Sequence, residues 1–435
     1  MMNLSFSVCT VLSALAATAL VPAWMSAARA DETSASFDQR LLTDTCVKRG
    51  DAEPKARIAA CSELIRLAKL AAPEMALAYL NRAAAYKATG RQAQATSDYA
   101  EALRRFDNLV DDNQPVAQIV YQRAVAYQAL GQVDRALSAY NEAIRLDPGN
   151  PVPLVDRANA LLRHKGQIAD AIRDFTRALA ITPNNVDALM GRGDAYGRNG
   201  DFALSLADLN LAIVLAPNNA NAHVLRGLAN SRRGDSQSAA TDYDAALVLD
   251  PRNMDALINR AALYSIAGQQ DKALADLDAA IAIRPNEPLA FYNRGYVNFS
   301  RKDYERAIAD YSAAIDLDPT FATAYNNRCL TQVLAGHNAS EAMGDCDRAL
   351  ALTPGSVDVR DTRGLAYLKM GKPALAIVEY DAALKLDPKR ALALYGRGLA
   401  RINMGDAKGG ASDRTAAALL DDNVNEQFLM YGLDK

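Results

Sequence analysis

The sequence predicts an all-α protein built as an array of helix hairpins, and three observations predict it. Prolines recur at Pro148, Pro183, Pro217, Pro251, Pro285, Pro319, Pro354 and Pro388, spaced 34 or 35 residues apart. Between them lie pairs of amphipathic stretches parted by a break, usually glycine: Gly131, Gly166, Gly200, Gly234, Gly268, Gly336, Gly371 and Gly405. Columns of small residues keep register with those breaks. Composition agrees: 50% of the 435 residues are hydrophobic but only 6% aromatic, which suits Ala-rich helices better than a β-sandwich. Lys and Arg total 48 against 51 Asp and Glu, a formal net charge of −3. That balance leaves no basic footprint for nucleic acid.

In chain order, the first element is an address. Val11 to Val21 is almost entirely apolar and small, too short to span a bilayer, and is followed by Ala28-Arg29-Ala30. This reads as a secretory signal over residues 1–30 with cleavage near Ala30/Asp31, although Met1 to Thr10 holds no Lys or Arg. The expected location is periplasmic or secreted, of bacterial type, with no membrane span after cleavage. Residues 31–75 hold a degenerate hairpin with Cys46 and Cys61. Ten full units follow over 76–424, beginning near 76, 117, 151, 186, 220, 254, 288, 322, 357 and 391. Residues 425–435 read as a capping helix over the last apolar face.

Within each unit, glycine closes the first helix because it tolerates positive φ, and proline closes the second because it cannot continue one. Small residues open the first helix to close approach: Ala83, Ala124, Ala158, Gly193, Gly227, Ala261, Gly295, Cys329, Gly364 and Gly398. The second helix carries Ala102, Ala143, Ala178, Ala212, Ala246, Ala280, Ala314, Ala349, Ala383 and Ala417. Such columns let helix axes approach toward the lower end of about 8–10 Å. Larger residues such as Tyr140, Phe175, Tyr243, Tyr311 and Tyr380 fill the seams. No hairpin buries both faces alone, so neighbours must stack.

The period with its small residue, Tyr, Ala and Pro, clearest in Ala261, Tyr264, Gly268, Ala273, Leu277, Ala280 and Pro285, resembles the tetratricopeptide repeat. The resemblance implies a right-handed superhelical solenoid of about 11 helix-turn-helix repeats. It also implies a non-catalytic interaction scaffold whose first helices line a groove. Departures are visible: the family's Trp column here holds Val120, Leu154, Leu189, His223, Leu257, Phe291 and Tyr325, and about seven extra residues intrude between Phe106 and Ala117.

An arginine precedes the small column in every full unit: Arg82, Arg123, Arg157, Arg192, Arg226, Arg260, Arg294, Arg328, Arg363 and Arg397. Sixteen or seventeen residues later stands an acid in all but one, where Ala139 interrupts. An anion-binding ladder is one reading. Matched columns favour ion pairs between helices, since half-buried charges must be paired. On that basis Arg294→Leu is expected to be tolerated better than Asp310→Ala.

Four cysteines follow the signal, in two local pairs: Cys46 with Cys61, and Cys329 with Cys346. Each pair occupies facing columns of one hairpin, which in an exported chain reads as two disulfides. No nucleotide loop, metal-ligand spacing or nucleophile elbow stands out, so no cofactor, metal, catalytic residue or small-molecule substrate is expected. The expected partner is a protein or peptide, not nucleic acid. Its candidate contacts are Leu289, Tyr292, Tyr296, Phe299, Leu330, Val333 and Tyr395, on first-helix positions beyond the seam columns. Whether this stripe lines a groove or packs against the neighbouring first helix stays open at this level. The alternative function is a structural scaffold in a cell-envelope or polymer-export assembly.

Overall fold

The computed structural model describes residues 40–48, 52–68, 70–110, 116–337 and 339–433. The proposed signal segment, residues 1–30, lies outside them. The chain divides into two compact units, broken between Leu249 and Asp250.

In the first unit the helices are α1 Pro54–Leu67, α2 Ala72–Ala88, α3 Gln92–Val110, α4 Ala117–Ala129, α5 Val133–Leu146, α6 Pro151–Ala160, α7 Ile168–Ile181, α8 Val186–Asn199, α9 Phe202–Leu215, α10 Ala220–Arg232 and α11 Ser236–Leu249. A π-helical turn, Asp44–Lys48, precedes α1, and another, Leu161–Lys165, extends α6. From α2 onward consecutive helices pair as hairpins. The Asp44–Lys48 turn packs on α1 and α2, and the Cys46–Cys61 disulfide joins it to α1 at a Cα–Cα distance of 4.9 Å. The extra residues after Phe106 extend α3 to Val110; residues 111–115 lie outside the described set.

The second unit holds α12 Met254–Ile266, α13 Gln270–Ile283, α14 Pro288–Ser300, α15 Tyr304–Leu317, α16 Ala322–Ala335, α17 Ala339–Leu352, α18 Val357–Lys369, α19 Pro373–Leu386, α20 Ala391–Asn403, α21 Ala407–Ala418 and α22 Val424–Met430. These form five hairpins and a short terminal helix that packs on α20 and α21. The Cys329–Cys346 disulfide joins α16 to α17, with Cα atoms 5.5 Å apart. Every described element of either unit is helical or turn.

The breakers act as their chemistry dictates. All eight glycines that mark the hairpin turns, and Gly90 in the first hairpin, have positive φ. The α14–α15 turn lacks a glycine and places Lys302 at φ 62° instead. Between hairpins, Asn150, Asn185, Asn219 and Asn253 cap the next helix by accepting a hydrogen bond from its first-turn amides. The small columns are closed to solvent, Ala102, Ala143, Ala178 and Ala383 being at most 1% exposed.

The arginine column is a paired seam. Arg82, Arg157, Arg192, Arg226, Arg260, Arg294, Arg328 and Arg397 each contact the aspartate on the second helix of their own hairpin at 2.6–2.7 Å. Arg363 meets Glu379 at 3.3 Å. Where Ala139 removes the acid, Arg123 turns to Glu142, about one turn further along α5, at 3.1 Å. A second contact reaches back to the preceding hairpin: Arg157 to Asn141, Arg226 to Asn210, Arg294 to Asp278, Arg328 to Ser312 and Arg397 to Asp381. Each of these guanidiniums therefore ties three helices. A fork of five donors suits that task better than a lysine.

That second contact reverses the expected order of damage at Arg294. With Asp310 gone, Arg294 keeps Asp278, whose side chain is 61% exposed, and water beyond it. With Arg294 gone, the Asp310 carboxylate, 6% exposed, keeps only a hydrogen bond from Asn298. Arg294→Leu is therefore the worse substitution, because the stranded acid is the deeper charge.

Candidate functional site

The candidate partner residues separate by burial. Tyr292 is fully buried: its ring lies 5.8 Å from that of Tyr311 and 4.9 Å from that of Phe321, and its hydroxyl accepts from Asn327 at 3.0 Å. Tyr395 is 2% exposed, stacked 4.9 Å from Phe428 of α22, and its hydroxyl accepts from Arg414. Val333 packs beside the Cys329–Cys346 disulfide. These three are seam residues. A first helix must bury this side against the next first helix, and the bulky members do so. Leu289, Tyr296 and Phe299 are half-buried. Leu330, 6% exposed, reaches a cavity.

That cavity, of about 280 Å³, lies in the second unit among α16, α18, α20 and α22. Its lining includes Asn326, Leu330, Asp358, Asp361, Leu365, Tyr380, Arg390, Leu392, Phe428 and Tyr431. Tyr380 comes from α19, threading between two first helices. An added Cβ at Gly364 would come within 2.6 Å of its ring and one at Gly396 within 2.3 Å, so only glycines leave the slot open. Arg390, just before α20, donates from Nε to Asp361 Oδ2 at 2.6 Å and from Nη2 to Asp358. Asp361 Oδ1, Asn326 Oδ1 and the Tyr380 hydroxyl have no protein hydrogen-bond partner.

The electrostatics follow from burial. Desolvation pushes the Asp361 carboxyl up to about 6, against the pull of Arg390. Burial, with Asp361 nearby, also pushes the Tyr380 hydroxyl well above its ordinary value. Another buried acid stands in the first unit. Asp156 is 3% exposed, accepts from the Tyr121 hydroxyl at 2.8 Å, and is raised to about 6 by desolvation.

Sequence reasoning missed the cavity, Asp361 and Asp156. Signals for them existed: Asp361 interrupts a column held by Tyr121, Val155, Met190, Val224, Ile258 and Tyr292, and Asp156 a column rich in Asn. Among the described residues no group of three His, Cys, Asp or Glu side chains gathers as a metal would require, and no helix is long and apolar enough to cross a membrane. His164 is exposed, His223 is half-buried in the seam near Asp242, and His337 meets Glu305 at 2.8 Å.

Comparison with known proteins places these features. Family models described as tetratricopeptide repeat or TPR repeat match residues 87–151, 161–200, 242–275, 266–301, 288–321 and 364–405, together more than half of the chain. No curated protein matches the sequence. Among solved structures, the Cut9–Hcn1 hetero-tetramer of the APC/C is similar at 15% identity and a TM-score of 0.51, over 92% of this chain and 96% of that one. The human IFIT1 dimer with m7Gppp-AAAA matches at 17% identity and a TM-score of 0.51, over 91% and 96%. A tetratricopeptide repeat protein from Parabacteroides merdae matches at 18% identity and a TM-score of 0.48, over 60% and 99%. At these identities the likeness is one of fold.

Proposed function

The chain belongs to the tetratricopeptide repeat family, and from that premise we propose that it is a non-catalytic adaptor whose first helices hold a peptide or protein partner. One observation carries the reading. Three polar atoms of the lining of the second unit's cavity, Asp361 Oδ1, Asn326 Oδ1 and the Tyr380 hydroxyl, are left unmet in the protein itself. A cluster of open polar atoms in the lining of one cavity has the makings of a recognition site. The hetero-tetramer formed by Cut9 with Hcn1 is the apter precedent in fold. IFIT1 with m7Gppp-AAAA is the less apt one, because this chain carries a net charge of −3.

The half-buried Tyr296 and Phe299 of α14 extend the proposed surface. Truncating a hot-spot aromatic costs about 2 kcal/mol, or about thirtyfold in affinity. In crosslinking pull-downs, the Tyr296→Ala and Phe299→Ala variants should keep their thermal stability and lose the partner captured by the native chain. Stability lost with capture kept would assign both side chains to packing. A specific observation favours the second reading, a structural scaffold in a cell-envelope or polymer-export assembly. Leu204, Leu211 and Val214 of α9 and Val248 of α11 are 41–82% exposed on second helices. Under that reading the α14 variants leave association unchanged.

We further propose export to an oxidising compartment, periplasmic or secreted. The two disulfides and the Ala28-Arg29-Ala30 site support it. Intact mass of the natively expressed protein should begin at Asp31 and be about four hydrogens below the reduced value, one pair for each disulfide. Free thiols on all four cysteines would remove the proposal.

A further inference from the structure

The cavity of the second unit has a chemistry more specific than a generic groove. Three of its polar atoms lack a protein partner, and all three belong to side chains more than nine-tenths buried: Asp361 is 8% exposed, Asn326 7% and Tyr380 1%. A carboxylate oxygen and an amide oxygen only accept, and a phenol hydroxyl accepts as well as donates. The group that completes them must therefore bring hydrogens. An unmade hydrogen bond on a buried acceptor is destabilising; unmet atoms also occur elsewhere, as at Gln122, Ser265 and Tyr311, but here three belong to the lining of one cavity that a ligand group can enter.

Charge narrows the choice. Asp358 and Asp361 face the one cation of the lining, Arg390, which already bonds to both. The lining thus carries a surplus negative charge, and its guanidinium is committed. An anion is disfavoured there and a cation favoured. Burial holds the Asp361 carboxyl at about 6, which leaves it ionised at neutral pH and able to gain from a cation beside it.

Size and walls narrow it further. At about 280 Å³ the cavity falls below the range of about 300–1,000 Å³ usual for whole small-molecule ligands and suits one long side chain. Leu330, Leu365, Leu392 and Phe428 supply apolar wall along which methylenes can lie. An ammonium has three donors for three acceptors, whereas a guanidinium brings five in a fixed fork and would strand some of them.

We propose that this cavity is a lysine subsite, which takes the side chain of a lysine in a bound polypeptide. Its ammonium donates to Asp361 Oδ1, Asn326 Oδ1 and the Tyr380 hydroxyl. The inference rests on the peptide-adaptor reading and sharpens it by naming one residue of the partner.

The test uses a random heptapeptide phage library panned against the purified, oxidised full chain. The expected result is enrichment of peptides with lysine at one fixed position among apolar neighbours. A selected peptide is then resynthesised with lysine, acetyl-lysine or norleucine at that position. Either replacement should weaken binding about tenfold or more. Asp361→Asn should lose most of the preference for lysine over norleucine, while Asp271→Asn, on an acid whose side chain is 91% exposed, should keep it. Tyr380→Phe retains the ring between Gly364 and Gly396 and should reduce the preference independently, which covers the case in which the Asp361 variant does not fold. Peptides enriched without lysine, or with acidic residues, would overturn the lysine subsite and leave the adaptor reading standing. A lysine preference that survives in both variants places the contact elsewhere and overturns the assignment to this cavity. No enrichment of any peptide counts against peptide binding itself, and the subsite falls with it.

Discussion

The arginine seam and the two columns that precede it run along the same first helices, yet one is nearly uniform and the others are not. Nine arginines find an acid in the same place, and Arg123 finds a substitute about one turn on. One and two residues earlier, the columns change from repeat to repeat. Tyr121 is bonded to Asp156 and Asn327 to Tyr292, each pair linking adjacent first helices. At Asp361 the column does not close this way: the residue at the corresponding place in the next repeat is Gly396, and Arg390 comes in from the connecting turn instead. Uniform columns are what stacking requires of every hairpin. Broken ones are where an individual repeat is free to do something else.

The largest expected effect breaks the seam. Arg294→Leu removes two helix-to-helix ties and strands the buried Asp310 carboxylate, at a cost of about 3 kcal/mol. Asp310→Ala should cost about half as much, because Arg294 retains Asp278 and solvent. Denaturant unfolding of both variants at neutral pH checks the order. A larger loss for the alanine variant would show that the deeper charge is not the one that governs the pair.

The next effect separates the two buried acids. Asp156 is enclosed by Tyr121, with Asp187 and Arg163 near enough to act on its charge, and its carboxyl is raised to about 6 from a model-compound value of 3.8. The sign follows directly. A raised acid holds its proton in the folded state over a range where the unfolded chain has released it. Its stabilising contribution is therefore present below about 4 and lost as the pH rises through about 6. Asp156→Asn keeps an acceptor for Tyr121 and does not titrate. Relative to the native chain it should gain on the order of 2 kcal/mol between pH 4.5 and 7.5. Urea midpoints at those two pH values measure it, and a difference that falls with pH contradicts the burial argument.

Much of this organisation was legible in the sequence because it repeats. Ten arginines and nine acids at a spacing of sixteen or seventeen residues are a signal that no single hairpin would provide, and the two cysteine pairs stand out through the columns they occupy. The arginine's second tie is also present, in the short polar residues Asn141, Thr176, Asn210, Asp278, Ser312 and Asp381, each sixteen residues before an arginine, but their mixed chemistry makes a fainter column than the acids do. The cavity was harder to see for a physical reason. It is assembled from α16, α18, α19, α20 and α22, and depends on a tyrosine passing between Gly364 and Gly396. Periodicity predicts which residues stack, not where a departure from the column leaves a polar atom unpaired. The apolar stripe divides for the opposite reason, with Leu289, Tyr296 and Phe299 half-buried and others sealed in the seam. Tyr292 and Tyr395 look like contact residues by type, and their bulk is spent on neighbouring helices.

The smallest expected effect asks whether every broken column marks a site. Nine hairpin turns of the full repeats close on a glycine with positive φ, and the tenth closes on Lys302 at φ 62°. A side chain in the left-handed region carries a steric cost of about 1–2 kcal/mol that glycine avoids, while glycine adds chain entropy to the unfolded state. The two partly cancel, so Lys302→Gly should stabilise the α14–α15 hairpin by about 0.5–1 kcal/mol. The Lys302 side chain is exposed, and its backbone amide already donates to Phe299 in the turn, which glycine preserves. Stabilisation with unchanged peptide selection would make Lys302 a tolerated departure, set apart from Asp361 by the lack of any buried polar demand around it. Loss of stability would mean that the lysine side chain holds the turn through a contact that its exposure does not suggest. Amide exchange across residues 297–305, compared between the native chain and the variant, reads the difference locally.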